Sequence, residues 1–501
     1  MTKPTPQAHK ALQSFAGAGG LPARRNIALL TATLTVLTDM CLGDGSSHPD
    51  ADIAIARDQA TGRPIIPATS QSGALRAALR QIDAVTDDDI ELLFGTSGSA
   101  ALLRPHDAIT DTDPITGTRN SIAVDLPTAL VMRGHLFTTE VLSPGTTFAL
   151  TWEVHLPPEP DRAAHILGLA ATAADTLSAG GIRLGQRCHV GFGAVSATGW
   201  GARFFDMCGS VEATRSWYSS TTSQRRDLAA ATPAASSAAA ALNAATPADF
   251  PAVTARDPAL TRALTVQVTL ANEEHLAGAW VPVPLLIGAG STGLDNTTSH
   301  LRRPSYASDG HLDELAIDSG STMISLLRRT AARAMSWIAA DPDQRARAEQ
   351  LLRDLFGSHP SAGTISAARL AVDEGPFEET RDVTMVSVAL NALAHSTIMG
   401  ALTSQTPIWG GRRTLTIDVS DPGDTDVALL RLVLADLIDG LAPSCGAGTA
   451  TGFGRRRATA VRATYHPGDG QPRTWNSWHD FAEDSFVAQC HERLLELVGA
   501  T

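Results

Sequence analysis

The stretch Pro64-Ile65-Ile66-Pro67-Ala68-Thr69-Ser70-Gln71-Ser72-Gly73-Ala74-Leu75-Arg76 is a small, hydroxyl-rich turn that opens onto a helix. Ser70 is placed to cap that helix. Leu75, Leu79 and Ile82 follow at helical spacing, which predicts a helix over residues 70–85. A second stretch has the same form: Ala316-Ile317-Asp318-Ser319-Gly320-Ser321-Thr322, then Ser325-Leu326-Leu327-Arg328. It predicts a helix over residues 322–339.

Each copy sits in a longer series of segments in the same order. The first runs from the Thr-alternating Leu30-Thr31-Ala32-Thr33-Leu34-Thr35-Val36 through Leu42-Gly43-Asp44-Gly45 and Leu93-Phe94-Gly95 to Gly191-Phe192-Gly193. The second runs from Leu264-Thr265-Val266-Gln267-Val268-Thr269-Leu270 through Ile287-Gly288-Ala289-Gly290 and Leu355-Phe356-Gly357 to Gly452-Phe453-Gly454. Kept order and spacing indicate an internal duplication. Phe148, Leu150, Trp152 and Val154 alternate as a strand, and residues 161–177 read as a helix, so the first copy reads strand, helix, strand, strand, helix, strand. In the second copy Leu415, Ile417 and Val419 mark a strand, and residues 426–441 a helix. The expected fold is α+β, with two tandem ferredoxin-like (RRM-like) domains carrying loop insertions. Its expected parts are a polar arm at 1–24, a first domain at 25–200, a low-complexity linker at 201–260, a second domain at 261–465 and a helical tail at 466–501. The Ala/Ser/Thr/Pro run at 229–245 reads as flexible or partly helical, and residues 478–498 as an amphipathic helix capping the second core.

At 501 residues the chain is long enough for two cores, and 43% hydrophobic with 18% charged residues places it among globular proteins. Its 5 cysteines lack metal-binding spacing and leave one over from any pairing, which favours a reducing, cytoplasmic setting. Neither a signal peptide nor a membrane span is expected. A formal charge of −13 argues against a uniformly basic surface but not against a local basic groove. Lysine occurs only at Lys3 and Lys10, so the cations are arginines, which suit planar recognition of phosphate. Arg76, Arg80, Arg183, Arg187, Arg302, Arg303, Arg328, Arg329 and Arg455 to Arg457 lie in or beside the repeated motifs. Helix dipoles and solvation account equally for some of them.

The turn Thr69-Ser70-Gln71-Ser72-Gly73 offers N–H and O–H donors at a helix start, where anions are favoured; it is also an ordinary cap. Gly181, Gly185, Gly191 and Gly193, with Gly446, Gly448, Gly452 and Gly454, form two glycine loops whose backbones could approach a ligand closely. Arg183 and Arg187 lie in one, and Arg455 follows the other.

Together these blocks resemble the RAMP superfamily of CRISPR effector proteins, in particular the Cas-seven-like backbone subunits of type III complexes. The resemblance rests on Leu42-Gly43, Arg57-Asp58, Gly62, Pro64 to Pro67, Ser70, Gly73, Arg76, Phe94-Gly95 and Gly191-Phe192-Gly193, and more loosely on residues 261–465. The family's lysine after its Gly-Ser-Ser is Ser72 here, and Ile324 in the second copy. The resemblance implies a fused pair of subunits in a ribonucleoprotein for antiviral defense. The partners it implies are a CRISPR guide RNA, complementary target RNA and other CRISPR effector subunits. The RNA-binding residues it implies are Arg57, Ser70, Ser72, Gly73, Arg76, Arg183, Gly185, Arg187, Gly191, Phe192 and Gly193. In the second copy they are Arg302, Arg303, Thr322, Arg328, Gly446, Gly448, Gly452 and Arg455.

In nuclease members a loop aspartate is needed for target cleavage. Its position here is Asp52, with Asp44 and Asp50 in the same loop; in the second copy, with Arg303 matched to Arg57, the aligned residue is Thr298, and the nearby, unaligned Asp295 is the candidate. Such an aspartate orients or activates a 2′-hydroxyl, or holds a divalent metal ion, Mg or Mn, making the chain a metal-dependent endoribonuclease and a hydrolase. The loop from Gly43 to Asp50 also reads as a solvated turn. The alternatives are a non-catalytic scaffold subunit, or a guide-processing endoribonuclease using His48, His189 or His300. No Walker loop, HExxH pair or GxSxG elbow is present in the sequence.

Overall fold

A computed structural model describes residues 25–110, 112–124, 131–231, 234–256, 262–291, 297–306, 312–358, 366–391, 393, 396–468 and 470–499. The chain is α+β and divides into two units. Unit 1 is Met1–Thr118, Thr138–Cys188 and Phe192–Thr261, and unit 2 is Arg119–Phe137, His189–Gly191 and Arg262–Thr501. The boundaries expected at 200 and 261 therefore miss two short stretches that unit 2 takes from earlier in the chain.

Unit 1 begins with β1 (Asn26–Val36), followed by helices α1 (Ala68–Leu79) and α2 (Asp87–Phe94) and strand β2 (Leu103–Pro105). Next come the hairpin β3 (Thr116–Val124) and β4 (Val131–Leu142), then β5 (Thr147–Leu156), α3 (Pro160–Ser178) and β6 (Val195–Phe205). The sheet runs β2-β5-β1-β6, all antiparallel. Phe148, Leu150, Trp152 and Val154 are buried as their alternation requires, and Trp152 meets Trp200 at 5.5 Å. Buried Gln71 ties α1 to the sheet. Its amide nitrogen donates to the Ile66 and His106 carbonyls, and its oxygen accepts from Trp152 Nε1.

Helix α1 starts two residues before the expected Ser70 and ends at Leu79. Pro67 takes the cap position without a side-chain bond, and the Ala68 N–H donates instead to Asp107 Oδ1 at 2.7 Å. Beyond Leu79 the chain makes tight turns, and α2 restarts with a capping box between Thr86 and Asp89.

The expected linker is corrected. Residues 201–205 complete β6, and the following segment forms α4 (Val211–Ser219), α5 (Thr222–Ala230) and α6 (Ala238–Ala245). Trp217 and Ala229 join Ile27, Leu29 and Phe205 in one buried cluster, while Ala238, Ala241 and Leu242 are also buried. Alanine-rich composition reads as low complexity, but small side chains let these helices approach the sheet closely. Residues 229–231 and 234–245 are thus part of the packed unit.

Unit 2 repeats the plan with β7 (Ala263–Ala271), α7 (Gly320–Ile338), α8 (Pro342–Phe356), β8 (Leu370–Val372), the hairpin β9 (Met385–Leu390) and β10 (Thr397–Thr406), β11 (Ile408–Ser420), α9 (Asp424–Ile438) and β12 (Arg457–His466). Strand β11 pairs with β8 and β7, and β7 with β12. This is the order of unit 1. Even the cap recurs: the Gly320 N–H faces Glu374 Oε2 at 3.4 Å, as Ala68 faces Asp107. Residues 478–498 form two helices, Trp478–Ala482 and α10 (Ser485–Val498), whose Phe481, Val487, Cys490 and Leu494 enter the same core as α9. Among the described residues no helix is long and apolar enough to cross a membrane.

Candidate nucleic-acid interface

Leu42, Gly43, Ser70, Ala74, Arg183, Gly185 and Gln186 line one open cavity of about 400 Å³ in unit 1. It gathers the loop after β1, the first turns of α1 and the glycine loop before β6. Of the expected residues, Ser70, Arg183 and Gly185 meet here. Gly73, one residue before Ala74, is exposed, and a Cβ built on it meets nothing within 4 Å. Gln186 and Gly43 had no assigned role in the sequence. They belong together, since a Cβ on Gly43 would lie 2.7 Å from Gln186 Nε2.

The glycine loops are built the same way in both units. The Leu184 N–H donates to the Gly193 carbonyl and the Gly193 N–H to Asp39; the Cys445 N–H donates to Gly454 and the Gly454 N–H to Pro284. Gln186 N–H donates to Cys41 and Ala447 N–H to Leu286. These bonds equate Gly185 with Gly446, Arg183 with Ser444 and Gln186 with Ala447. At these positions unit 2 therefore has Ser444 and Ala447 in place of the cation and the amide that line the cavity of unit 1.

The close approach expected of these glycines is to the chain itself. A Cβ on Gly185 would stand 2.2 Å from the Cys41 oxygen, one on Gly446 2.5 Å from that of Leu286, and one on Gly191 2.6 Å from the Glu374 nitrogen. Gly448 backs onto the Phe453 ring. Phe192 is buried, with the Arg187 guanidinium 5.1 Å from its ring centre. Its place is in the core rather than at an RNA surface.

Several expected phosphate ligands are engaged with carboxylates. Arg57 donates to Glu140 at 2.6 Å, and Glu140 is buried. Arg302 pairs with Asp382, Arg455 with Glu274 at 3.4 Å and Arg457 with Glu273 at 3.2 Å. Arg456 is buried against Asp318. Arg57 bridges Pro64, and Arg302 faces Ala316. Arg302, not Arg303, is therefore the counterpart of Arg57. Arg303 faces Leu315 in the same hairpin. The hydroxyl-rich turn is corrected too, because Asp107 already accepts from the first N–H of α1 and Ser70 is an interior residue of the helix. Ser72 and Arg76 lie on α1, while Thr322, the counterpart of Ser70, and Arg328, the counterpart of Arg76, lie on α7. Nε of Arg76 and of Arg328 is buried without a hydrogen-bond partner, and burial lowers the Arg328 pKa.

Asp52 is exposed, and its Oδ2 accepts from the Thr138 N–H at 2.8 Å. Asp44 is a turn carboxylate accepting from the Ser46 N–H, and bonds from Ser46 lower its pKa. Asp295 lies outside the described residues, as do 292–294 and 296 beside it. Among the described residues no three His, Cys, Asp or Glu side chains are placed to hold a metal ion. His300 is buried, with Nδ1 within 3.2 Å of the Leu285 oxygen and Nε2 3.0 Å from the Ile317 oxygen. Burial lowers its pKa. It is a structural histidine, tied to backbone at both ring nitrogens.

Residues 33–196 match the model of the RAMP superfamily, which supports RAMP membership. The matched segment contains every residue lining the cavity, and Asp52. No curated protein matches the chain.

Proposed function

We propose that the chain is a guide-RNA-binding backbone subunit of a type III CRISPR ribonucleoprotein, built as a tandem of two ferredoxin-like RAMP domains. The carrying observation is the cavity: a guanidinium, an amide and a hydroxyl converge inside the segment that matches the RAMP superfamily. That combination suits a phosphate and its sugar, with Arg183 supplying the charge. The tandem reading is supported by the shared strand order and by the matching glycine-loop bonds. In this proposal other CRISPR effector subunits and complementary target RNA are the remaining partners.

Arg183→Ala combined with Gln186→Ala is expected to weaken guide RNA retention and lower the slope of log affinity against log salt by about one phosphate equivalent. The matching positions Ser444 and Ala447 are expected to tolerate exchange, so Ser444→Ala leaves RNA retention unchanged. Filter binding across a salt series reads both. An unchanged slope for the Arg183 variant removes this cavity from the RNA path.

The proposal extends to cleavage of guide-paired target RNA at Asp52. Support comes from its exposure and from the Thr138 N–H, which holds one carboxylate oxygen and so orients the other. An aspartate so held accepts a proton from a ribose 2′-hydroxyl as that oxygen attacks phosphorus and the P–O5′ bond breaks, the departing 5′-oxygen taking its proton from water. Asp52→Asn keeps an acceptor for Thr138 and removes the base. The expected result is a loss of one cut by about two to four orders of magnitude with assembly unchanged. A cut that persists leaves the chain as a scaffold subunit.

A further inference from the structure

Unit 2 carries one piece for which unit 1 has no room. Ser196 and Arg457 pair with Thr35 and Ala271, and the Gly193 and Gly454 N–H groups donate to Asp39 and Pro284, so these residues correspond. Between them unit 1 has only Val36, Leu37 and Thr38, whereas unit 2 has residues 272–283. The extra chain is a hairpin of Glu273–Leu276 and Ala279–Pro282. Ala277 and Gly278 close it with φ of 50° and 83°, the pair of left-handed residues that a tight two-residue turn requires. A lone two-stranded hairpin is marginally stable in water. What this one lies against therefore decides where it stays.

It lies on the arginines that follow the second glycine loop. Glu273 meets Arg457 at 3.2 Å, and Glu274 meets Arg455 at 3.4 Å. The Arg457 guanidinium carbon is 4.2 Å from the centre of the Trp280 ring, and His275 stands edge-on to that ring at 5.1 Å. Trp280 reaches this place across Gly440, where a Cβ would stand 2.7 Å from the ring. The matching glycine in unit 1 is Gly180, whose N–H donates to Leu177 as that of Gly440 does to Leu437. Among the described residues a Cβ on Gly180 meets only the Val195 oxygen, at 3.9 Å. Ala194 and Ser196 stand where unit 2 has Arg455 and Arg457. The hairpin and the arginines it covers thus occur together in unit 2, and the matching places of unit 1 hold neither.

We infer that this hairpin is an internal stand-in for single-stranded RNA, an autoinhibitory strap that keeps Arg455 and Arg457 closed to RNA. A carboxylate on each guanidinium supplies what a phosphate would, and a flat aromatic ring over Arg457 supplies what a base would. The imitation is incomplete at one atom. Arg457 meets Glu273 through NH2, while its Nε is buried without a hydrogen-bond partner. The strap therefore covers the cation without saturating it. Ion pairs of this exposure are weak by themselves, so the packing of Trp280 against Gly440 and the tight turn hold the carboxylates in place. Closure agrees with the other difference between the repeats, since Ser444 and Ala447 replace the cation and the amide of the unit 1 cavity.

The inference rests on the RNA-binding reading, and its test uses the full chain with a single-stranded RNA of mixed sequence, read by filter binding across a salt series. Glu273→Gln with Glu274→Gln removes the charges of the strap. Glu378→Gln with Glu379→Gln makes the same charge change beside Arg412 and serves as the control. The strap variant is expected to bind RNA about tenfold more tightly than the unaltered chain, with a salt slope steeper by about 1.4, the value for two added phosphate contacts on a single strand. Arg455→Ala with Arg457→Ala is expected to leave the affinity of the unaltered chain where it was and to abolish the gain in the strap variant. A gain no larger than that of the control overturns the inference. So does a loss of affinity when the two arginines are replaced in the unaltered chain. The two readings part at Arg183. Weaker binding by Arg183→Ala with no gain from the strap variant ends the strap alone, whereas a strap gain with an indifferent Arg183 ends the cavity reading and leaves the strap standing.

Discussion

Gly454→Ala is expected to disrupt unit 2 far more than Gly452→Ala, although both glycines are left-handed, with φ of 78° and 89°. A side chain in that conformation costs about 1–2 kcal/mol by itself, which is the whole expectation for Gly452 because its surroundings are open. At Gly454 a Cβ would also stand 1.8 Å from the Cys445 carbonyl oxygen, the backbone that the Cys445 N–H bond holds in place. Separation of those loop segments raises the loss to about 4 kcal/mol or more, the range reached by severe backbone and packing defects. Gly193→Ala is expected to do the same to unit 1, where the Leu184 oxygen lies 1.9 Å from the built Cβ. Urea unfolding followed by fluorescence measures the difference. Equal losses for Gly452 and Gly454 would show that conformation alone, and not the backbone contact, requires these glycines.

The second large effect is expected at Asp318. Its carboxylate is fully buried and accepts from Arg456 NH1 at 2.9 Å, with Arg413 NH1 at 3.5 Å. Asp318→Ala leaves the Arg456 charge buried without its counterion, a change that costs about 3–5 kcal/mol. In unit 1 the positions of Asp318 and Arg456 are taken by Ile66 and Val195, both fully buried. The combined variant Asp318→Ile with Arg456→Val is therefore expected to recover most of the loss, because a packed apolar pair needs no desolvation of charge. Arg413 keeps Asp373 at 2.7 Å in that variant. Denaturation midpoints of the single and double variants decide it. A double variant as weak as the single one would show that the ion pair, and not its packing, organises this part of the core.

The contrast between the two repeats also shows which inferences a linear reading supports. Alternation at Phe148 to Val154 and helical spacing at Leu75 and Leu79 are local properties, and each places its side chains in the core as expected. Gly193 and Gly454 mark a real feature, but its cause was misassigned. Nothing in Gly-x-Gly spacing distinguishes a backbone approaching RNA from one approaching its own carbonyl. The same limit applies to Arg57, Arg302 and Arg455. Their partners Glu140, Asp382 and Glu274 lie on other strands, so sequence proximity to a motif could not separate ion pairing from phosphate binding. Gln186 was missed because a single glutamine in a glycine loop carries no pattern.

By itself the sequence determined the α+β class, the alternating strands and the helices that join them, because these depend on periodicity and turn chemistry over neighbouring residues. Tertiary structure alone decided that Val211–Ser219, Thr222–Ala230 and Ala238–Ala245 pack as helices, that Asp107 caps α1, and that Arg119–Phe137 belongs to unit 2. It also decided that Arg183 shares a cavity with Ser70 and Gln186 while their counterparts Ser444 and Ala447 do not repeat that chemistry. Each of these depends on groups far apart in the chain being brought within hydrogen-bonding or packing distance, and such encounters leave no period in the sequence.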